Sequence, residues 1–277
     1  MEKEFKRNKM SRKYLAFFRM RFTAGLQYRA AAASGIVTQF VWGIMQLLIF
    51  RAFYEVNKVA FPMKFSEVST YIWLQQSLLA LFVMWILEND IFQIIVEGGI
   101  AYELCRPVDL YYMWFFRSMA NRLSKAVLRC LPIILFAAIL PVPYGMRLPS
   151  NTFAAAGFLI TLVLGFVNVI AFCMLVYIIT FFTYSPSGIR LFAVSLVELL
   201  GGAVVPLPFF PEGFRQVAEL LPFAAMQNIP FRIYSGNIAG VDILSKIAFQ
   251  LFWALVLIWL GRRLTKAALK RAVVQGG

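Results

Sequence analysis

Between residues 152 and 182 the chain carries no charged side chain at all. The hydrocarbon core of a bilayer is about 30 Å thick, and about 20 apolar residues in a helix cross it. Shorter apolar stretches at 31–53, 68–87, 123–140, 189–205 and 243–260 accompany this run. Apolar residues make up 61% of the chain and charged residues 14%. A soluble domain has roughly 45–50% and about 25%. So few charges cannot cover the surface of a soluble domain of this length, and disorder requires low hydrophobicity. In lipid, backbone polar groups must be satisfied within the segment, which favours helices. The sequence therefore predicts an all-α integral membrane protein. Its six apolar stretches predict six transmembrane helices in a single transmembrane domain, 1–277.

Charge gives a sidedness. There are 27 Lys and Arg against 13 Asp and Glu, a net charge of +14. In a soluble protein this excess would point to nucleic acid. Here the cations flank apolar stretches, as the positive-inside pattern requires, so no nucleic-acid partner is expected. Sorted by connecting segment, with Arg122, Lys125 and Arg129 around the start of 123–140 counted with the second connection, twenty cations fall with the two termini and the second and fourth connections, and five fall with the others. Both termini are thus expected in the cytoplasm, with the chain in the plasma (inner) membrane. Residues 1–30 hold Leu15, Phe18, Phe22 and Leu26 at helical spacing beside Arg19 and Arg21. This predicts an interfacial helix after a basic start. The tail, 261–277, is again basic, with Arg262, Arg263, Lys266, Lys270 and Arg271.

Catalytic chemistry has little to work with. The chain has no His, hence neither the commonest general base nor the commonest metal ligand. Cys105, Cys130 and Cys173 are scattered and read as ordinary apolar residues. No P-loop, G-x-S-x-G or H-E-x-x-H motif occurs. No catalytic residue and no metal ligand is predicted.

Two connecting segments are more organised than linkers. In 88–121, Asn89 or Asp90 can cap a short helix, 91–97, which Gly98 and Gly99 can stop. Asp109, after Pro107, can cap a second helix. Ile91, Phe92, Ile94 and Ile95 would then be exposed on turns, facing a protein partner or, alternatively, the lipid surface. Glu88, Asp90, Glu97, Glu103 and Asp109, interleaved with Arg106 and Arg117, read as a solvated face. Segment 206–230 has prolines at 206, 208, 211, 222 and 230, with a short helix expected from Glu212. Apolar but broken backbone must be buried in protein or line a cavity. A re-entrant or capping hairpin is expected here.

Polar residues inside the apolar stretches are few. Gln39 and Gln46, seven apart, share a helix face. Gln75 and Gln76 lie in the second stretch and Asn168 in the fourth. Glu198 is the sole acid, near mid-bilayer if 189–205 is a span, and either functional or a hydrogen-bonded glue between helices.

Two motifs carry a resemblance: EGGIAYELCRPVDLYY from Glu97, and GGAVVPLPFFPEGFRQVAELLPFAAMQNIP from Gly201. In their order and spacing the chain resembles permease subunits of ABC transporters of the ABC-2 export class. The resemblance implies a cytoplasmic coupling helix between spans 2 and 3 and a re-entrant element between spans 5 and 6. It implies that Ile91, Phe92, Ile94, Ile95, Glu97, Gly98 and Gly99 form a coupling interface. It also implies two P-loop ATPase subunits as partners, a second permease copy (identical or similar), and contact with membrane lipids. ATP and Mg would sit on the ATPase chains, with no cofactor on this one. The expected function is export of an amphipathic or lipid-like substrate along a pathway including Gln39, Gln46, Gln75, Gln76, Asn168 and Glu198. The rival readings are an ion-coupled carrier, which needs charges in several spans, and a membrane-embedded enzyme or scaffold of lipid metabolism.

Overall fold

The computed structural model describes residues 2–183 and 185–270, apart from the side chains of 2–11 and 31. The side chains of the basic start up to Ser11, and Arg271 in the basic tail, therefore lie outside the described residues or side chains. Among the described residues twelve α-helices follow one another: α1 (Glu2–Gly25), α2 (Arg29–Val56), α3 (Phe65–Ser77), α4 (Leu79–Phe82), α5 (Asn89–Val96), α6 (Ile100–Leu104), α7 (Leu110–Ile139), α8 (Thr152–Thr183), α9 (Pro186–Leu200), α10 (Glu212–Leu220), α11 (Asn228–Ser235) and α12 (Asp242–Leu269).

The uncharged run becomes α8, and it is the centre of the molecule. Val169, Ile170, Ala171, Cys173 and Tyr177 are fully buried. A helix that is apolar all round belongs inside. Among lipid tails, apolarity alone does not drive helices together; close packing does. Here α12, α11, α5 and α9 pack around α8. Aromatic contacts join them, such as Phe92–Tyr177 at 5.0 Å and Phe158–Tyr234 at 4.8 Å. A smaller core of Leu47, Phe50, Phe65, Ile72, Trp73 and Ile133 joins α2, α3 and α7.

The expectation of six spans is overturned. Among the described residues three helices are long and apolar enough to cross a membrane: Ala32–Val56, Thr152–Thr183 and Asp242–Leu269. The other three apolar stretches fail for different reasons. Stretch 68–87 is not one helix: α3 stops after 13 residues, about 20 Å at 1.5 Å per residue, and Val83 is already extended. Stretch 189–205 yields α9, 15 residues and about 22 Å, ended by Gly201 and Gly202. Gly202 has φ +74°, a left-handed conformation that a side chain disfavours. Stretch 123–140 lies in a long helix, α7, but that helix carries Arg117, Arg122, Lys125 and Arg129. A coupling helix "between spans 2 and 3" and an element "between spans 5 and 6" lose their frame with those spans. The short helices themselves are present, as α5 and α10.

Both described ends of the chain meet at one end of the molecule. The Asp109 N–H donates to Tyr14 Oη at 2.9 Å, and Lys13 Nζ donates to the Pro107 carbonyl. The Tyr14 ring stacks on Phe116. From α12, the Arg262 guanidinium lies over the Tyr112 ring, 5.2 Å from its centroid. Thus α1 and the last turns of α12 share the start of α7. The helix expected within 1–30 begins at Glu2, before the residues that predicted it, ends at Gly25, short of Leu26, and packs lengthwise on α7.

Candidate functional site

Two polar regions stand out, a joint and a cavity. The joint is built on the irregular backbone between α4 and α5. Arg122 is fully buried on α7. Its guanidinium donates to the carbonyls of Val83 (2.6 Å), Ile86 (2.9 Å) and Leu81 (3.3 Å), and to Cys173 Sγ on α8. One turn earlier Arg117 donates to Glu88, and at 2.8 Å to Asp90. Ser118 also donates to Glu88, and the Glu88 N–H donates to Tyr177 Oη at 2.8 Å. From α9, Arg190 donates to Asn89 Oδ1 (2.7 Å) and the Trp85 carbonyl (2.9 Å). Arg122 and Arg190 thus satisfy backbone carbonyls at the end of α4 and in the irregular stretch after it, and Arg117 holds the two carboxylates that follow. Burial opposes the Arg117 charge, but Glu88 and Asp90 outweigh it and hold its pKa above the ordinary arginine value.

These bonds correct three expectations. Glu88 and Arg117 do not form a solvated face: their side chains are 11% and 7% exposed. The cap of α5 is Glu88, with no side-chain capping bond. Asn89 and Asp90 do not cap because Arg190 and Arg117 hold their side-chain oxygens. The apolar residues of α5 do not face outward. Ile91, Phe92 and Ile95 are buried against the body of this chain and Ile94 is half-buried. What α5 exposes is Asn89, Asp90, Gln93, Val96 and Glu97. Gly98 follows with φ +74°, so the helix stops where expected, and Gly99 begins the approach to α6. Asp109 caps α7 by accepting the Tyr112 N–H.

A groove runs beside the exposed face of α5. Asn89, Gln93, Val96 and Glu97 form one wall, and Pro186, Ser187, Arg190 and Leu191 of α9 form the other.

The cavity lies among α2, α3 and α9 and has a volume of about 400 Å³. It brings together five of the six predicted pathway residues: Gln39, Gln46, Gln75, Gln76 and Glu198. Gln76 Nε2 donates to Gln46 Oε1 at 3.1 Å, and Gln75 donates to the Ala203 carbonyl. The Oε1 atoms of Gln39 and Gln76 are buried without a hydrogen-bond partner, and so is Nε2 of Gln227. Trp42 and Arg129 complete the wall. Glu198 is half-buried at its edge. The mid-bilayer depth expected for Glu198 rested on a fifth span and falls with it. Asn168 is elsewhere. Its Nδ2 donates to the carbonyls of Leu164 and Gln250 and ties α8 to α12.

Sequence reasoning passed over Arg122, Arg190, Gln227 and Gln250. Gln250 is fully buried and donates to the carbonyls of Thr161 and Ala225. That bond holds the proline-rich segment against α8 and α12. Met226, Ile229, Phe231 and Ile233 are buried there, as apolar but broken backbone requires. Arg122, Arg190 and Gln250 each serve a carbonyl distant in sequence, and Gln227 joins the cavity only through the fold, so no local motif gives their roles, although Gln250 stands out as a polar residue in the apolar stretch 243–260.

Among the described residues no group of three or more His, Cys, Asp or Glu could hold a metal ion. No curated protein matches the chain. A family model described as ABC-2 family transporter protein matches residues 40–276, from within α2 through the whole of α12. With three helices fit to cross a bilayer, this is a multi-pass, membrane-embedded helical protein, and the chain belongs to the ABC-2 transporter family.

Proposed function

We propose that the chain is the permease subunit of an ATP-driven exporter in the plasma membrane, energised by two separate P-loop ATPase subunits. Two permease copies, identical or similar, form the pathway. The cargo is amphipathic or lipid-like. The end of the molecule that gathers α1, α5 and the last turns of α12 faces the cytoplasm. Arg12, Lys13, Arg19, Arg106, Arg262, Arg263 and Lys266 crowd there, as cytoplasmic flanks do.

One observation carries this reading: α5 is short, outward-facing and stiffly joined to three long elements. A push on Gln93, Val96 or Glu97 moves α8 through Phe92 and Tyr177. It moves α7 through the Glu88–Arg117 pair, and α9 through Asn89 and Arg190. The far end of α9 carries Val197 and Glu198 on the wall of the glutamine-lined cavity. Rigid elements that pass displacement from a docking site to a pathway are a known form of switching. The ATPase seats in the groove between α5 and the start of α9, and cargo meets Gln39, Gln46, Gln75, Gln76 and Glu198.

The test is introduction of negative charge on the exposed face alone. Gln93→Glu with Val96→Glu leaves the buried Ile91, Phe92 and Ile95 in place. The variant is expected to insert and melt as the parent does. It is expected to lose co-purification with its P-loop ATPase subunits, and cargo-stimulated ATP hydrolysis. Retention of both would overturn the docking role.

A further inference from the structure

A second cavity, of about 480 Å³, lies where α1, α2 and α7 converge. Its charged walls are Arg21, Arg117, Lys125 and Arg129 against Glu88 and Asp90, four cations to two carboxylates. Both carboxylates are already held by Arg117. The walls therefore keep a positive excess. Arg21 Nε is buried without a hydrogen-bond partner, and Lys125 makes no ion pair among the described residues. Space is left by small residues: Ala24, Gly25 and Ala32 line the cavity. A Cβ on Gly25 would stand 2.2 Å from Ser124 Oγ.

The depth of this cavity suggests its ligand. Ala32 is both a wall residue and a residue of the first turn of α2, the helix whose stretch Ala32–Val56 is fit to cross the membrane. The cavity thus lies at the level where hydrocarbon gives way to headgroups. Basic side chains at that level attract anionic lipids. A phosphate group offers charge and several acceptor oxygens to such donors.

We propose that this cavity binds the phosphate group of an anionic lipid, with Arg21 and Lys125 as its direct donors. Arg129 lines both this cavity and the glutamine-lined one. A bound amphiphile therefore stands beside the proposed pathway, and its onward route rests on the export reading, although its binding does not.

The experiment uses the purified full chain in detergent, without any ATPase, and follows thermal stability during titration. Phosphatidylglycerol, phosphatidylcholine and inorganic phosphate are compared. Phosphatidylglycerol is expected to raise the melting temperature, and phosphatidylcholine is not. Arg21→Gln with Lys125→Gln is expected to weaken the phosphatidylglycerol response about tenfold, since hydrogen bonds to a charged group are being lost. If the double variant does not fold, Arg21→Gln alone carries the test, because Arg21 is only partly buried. Equal stabilisation by phosphatidylcholine, or an unchanged response in the variant, would overturn the site. Equal stabilisation by inorganic phosphate would overturn its assignment to a lipid. None of these results touches ATPase docking, so a failure here leaves the export reading standing.

Discussion

The joint around Arg117 and Arg122 and the cavity around Gln39 and Gln76 are both polar regions inside an apolar protein, and they solve opposite problems. In the joint, charged donors meet their acceptors: three carbonyls on Arg122, and two carboxylates on Arg117. In the cavity, amide atoms are buried with partners missing. Fully satisfied networks rigidify, and unsatisfied groups cost free energy. A region that transmits force should resemble the first, and a region that receives a polar ligand should resemble the second. The same sequence supplies both because a guanidinium carries five donors and meets several carbonyls at once, whereas an amide has one oxygen and one nitrogen, each of which needs its own partner.

The comparison breaks most visibly at Arg122. Arg122→Met removes the donor to three carbonyls and leaves them buried. The expected cost is about 3 kcal/mol or more, read as loss of the folded protein or a large fall in melting temperature. Arg122→Lys should recover little, because an ammonium cannot span the fork of carbonyls that a guanidinium does.

Arg117→Gln tests the second arm of the joint. It leaves Glu88 nearly buried without its cation, and one-sided removal from a buried pair costs about 3–5 kcal/mol. Asp90 is largely exposed and softens the loss, so the lower end is expected. The sign with pH follows from the raised Arg117 pKa. A cation whose folded pKa is raised contributes its full stability below the unfolded value and loses it only as pH rises through the folded value. That window lies above the ordinary arginine range. Between about pH 6 and about pH 9 the difference between parent and Arg117→Gln should therefore not shrink through loss of the arginine charge. A denaturant titration at several pH values checks this.

The smallest stability effect is expected in the cavity. Gln39→Leu removes a buried oxygen that has no partner, so the melting temperature should stay level or rise slightly, within about 1 kcal/mol. Cargo-stimulated ATP hydrolysis should fall if the cavity receives cargo. A strong loss of stability with transport intact would reverse the contrast and make the cavity structural.

The two regions also differ in how far the sequence foretold them. Gln39 and Gln46 were legible because helical periodicity alone puts residues seven apart on one face. Gln75, Gln76 and Glu198 were legible because a polar residue in an apolar run is conspicuous. Asn168 shared that signal, yet its partners on α8 and α12 make it a tie between helices. The joint was misread. A mixed-charge segment between apolar runs looks solvated until the fold encloses it. Apolar residues on a short helix look exposed until a neighbour such as α8 covers them.

By itself the sequence determined that the chain is helical and lives in a membrane, because one uncharged run from 152 to 182 permits nothing else. It determined the positions of α5, α7 and α10 through Gly98, Asp109 and Pro211 with their neighbours, because turns and caps are local chemistry. It did not determine which apolar stretches are long, continuous helices. Apolarity is a property of residues, whereas crossing a bilayer also requires unbroken length, and α3 and α9 stop too soon. Only the tertiary structure decided that Arg117, Arg122 and Arg190 converge on one irregular stretch of backbone. A buried arginine survives where several distant acceptors meet it at once, and that coincidence exists only after the chain has folded.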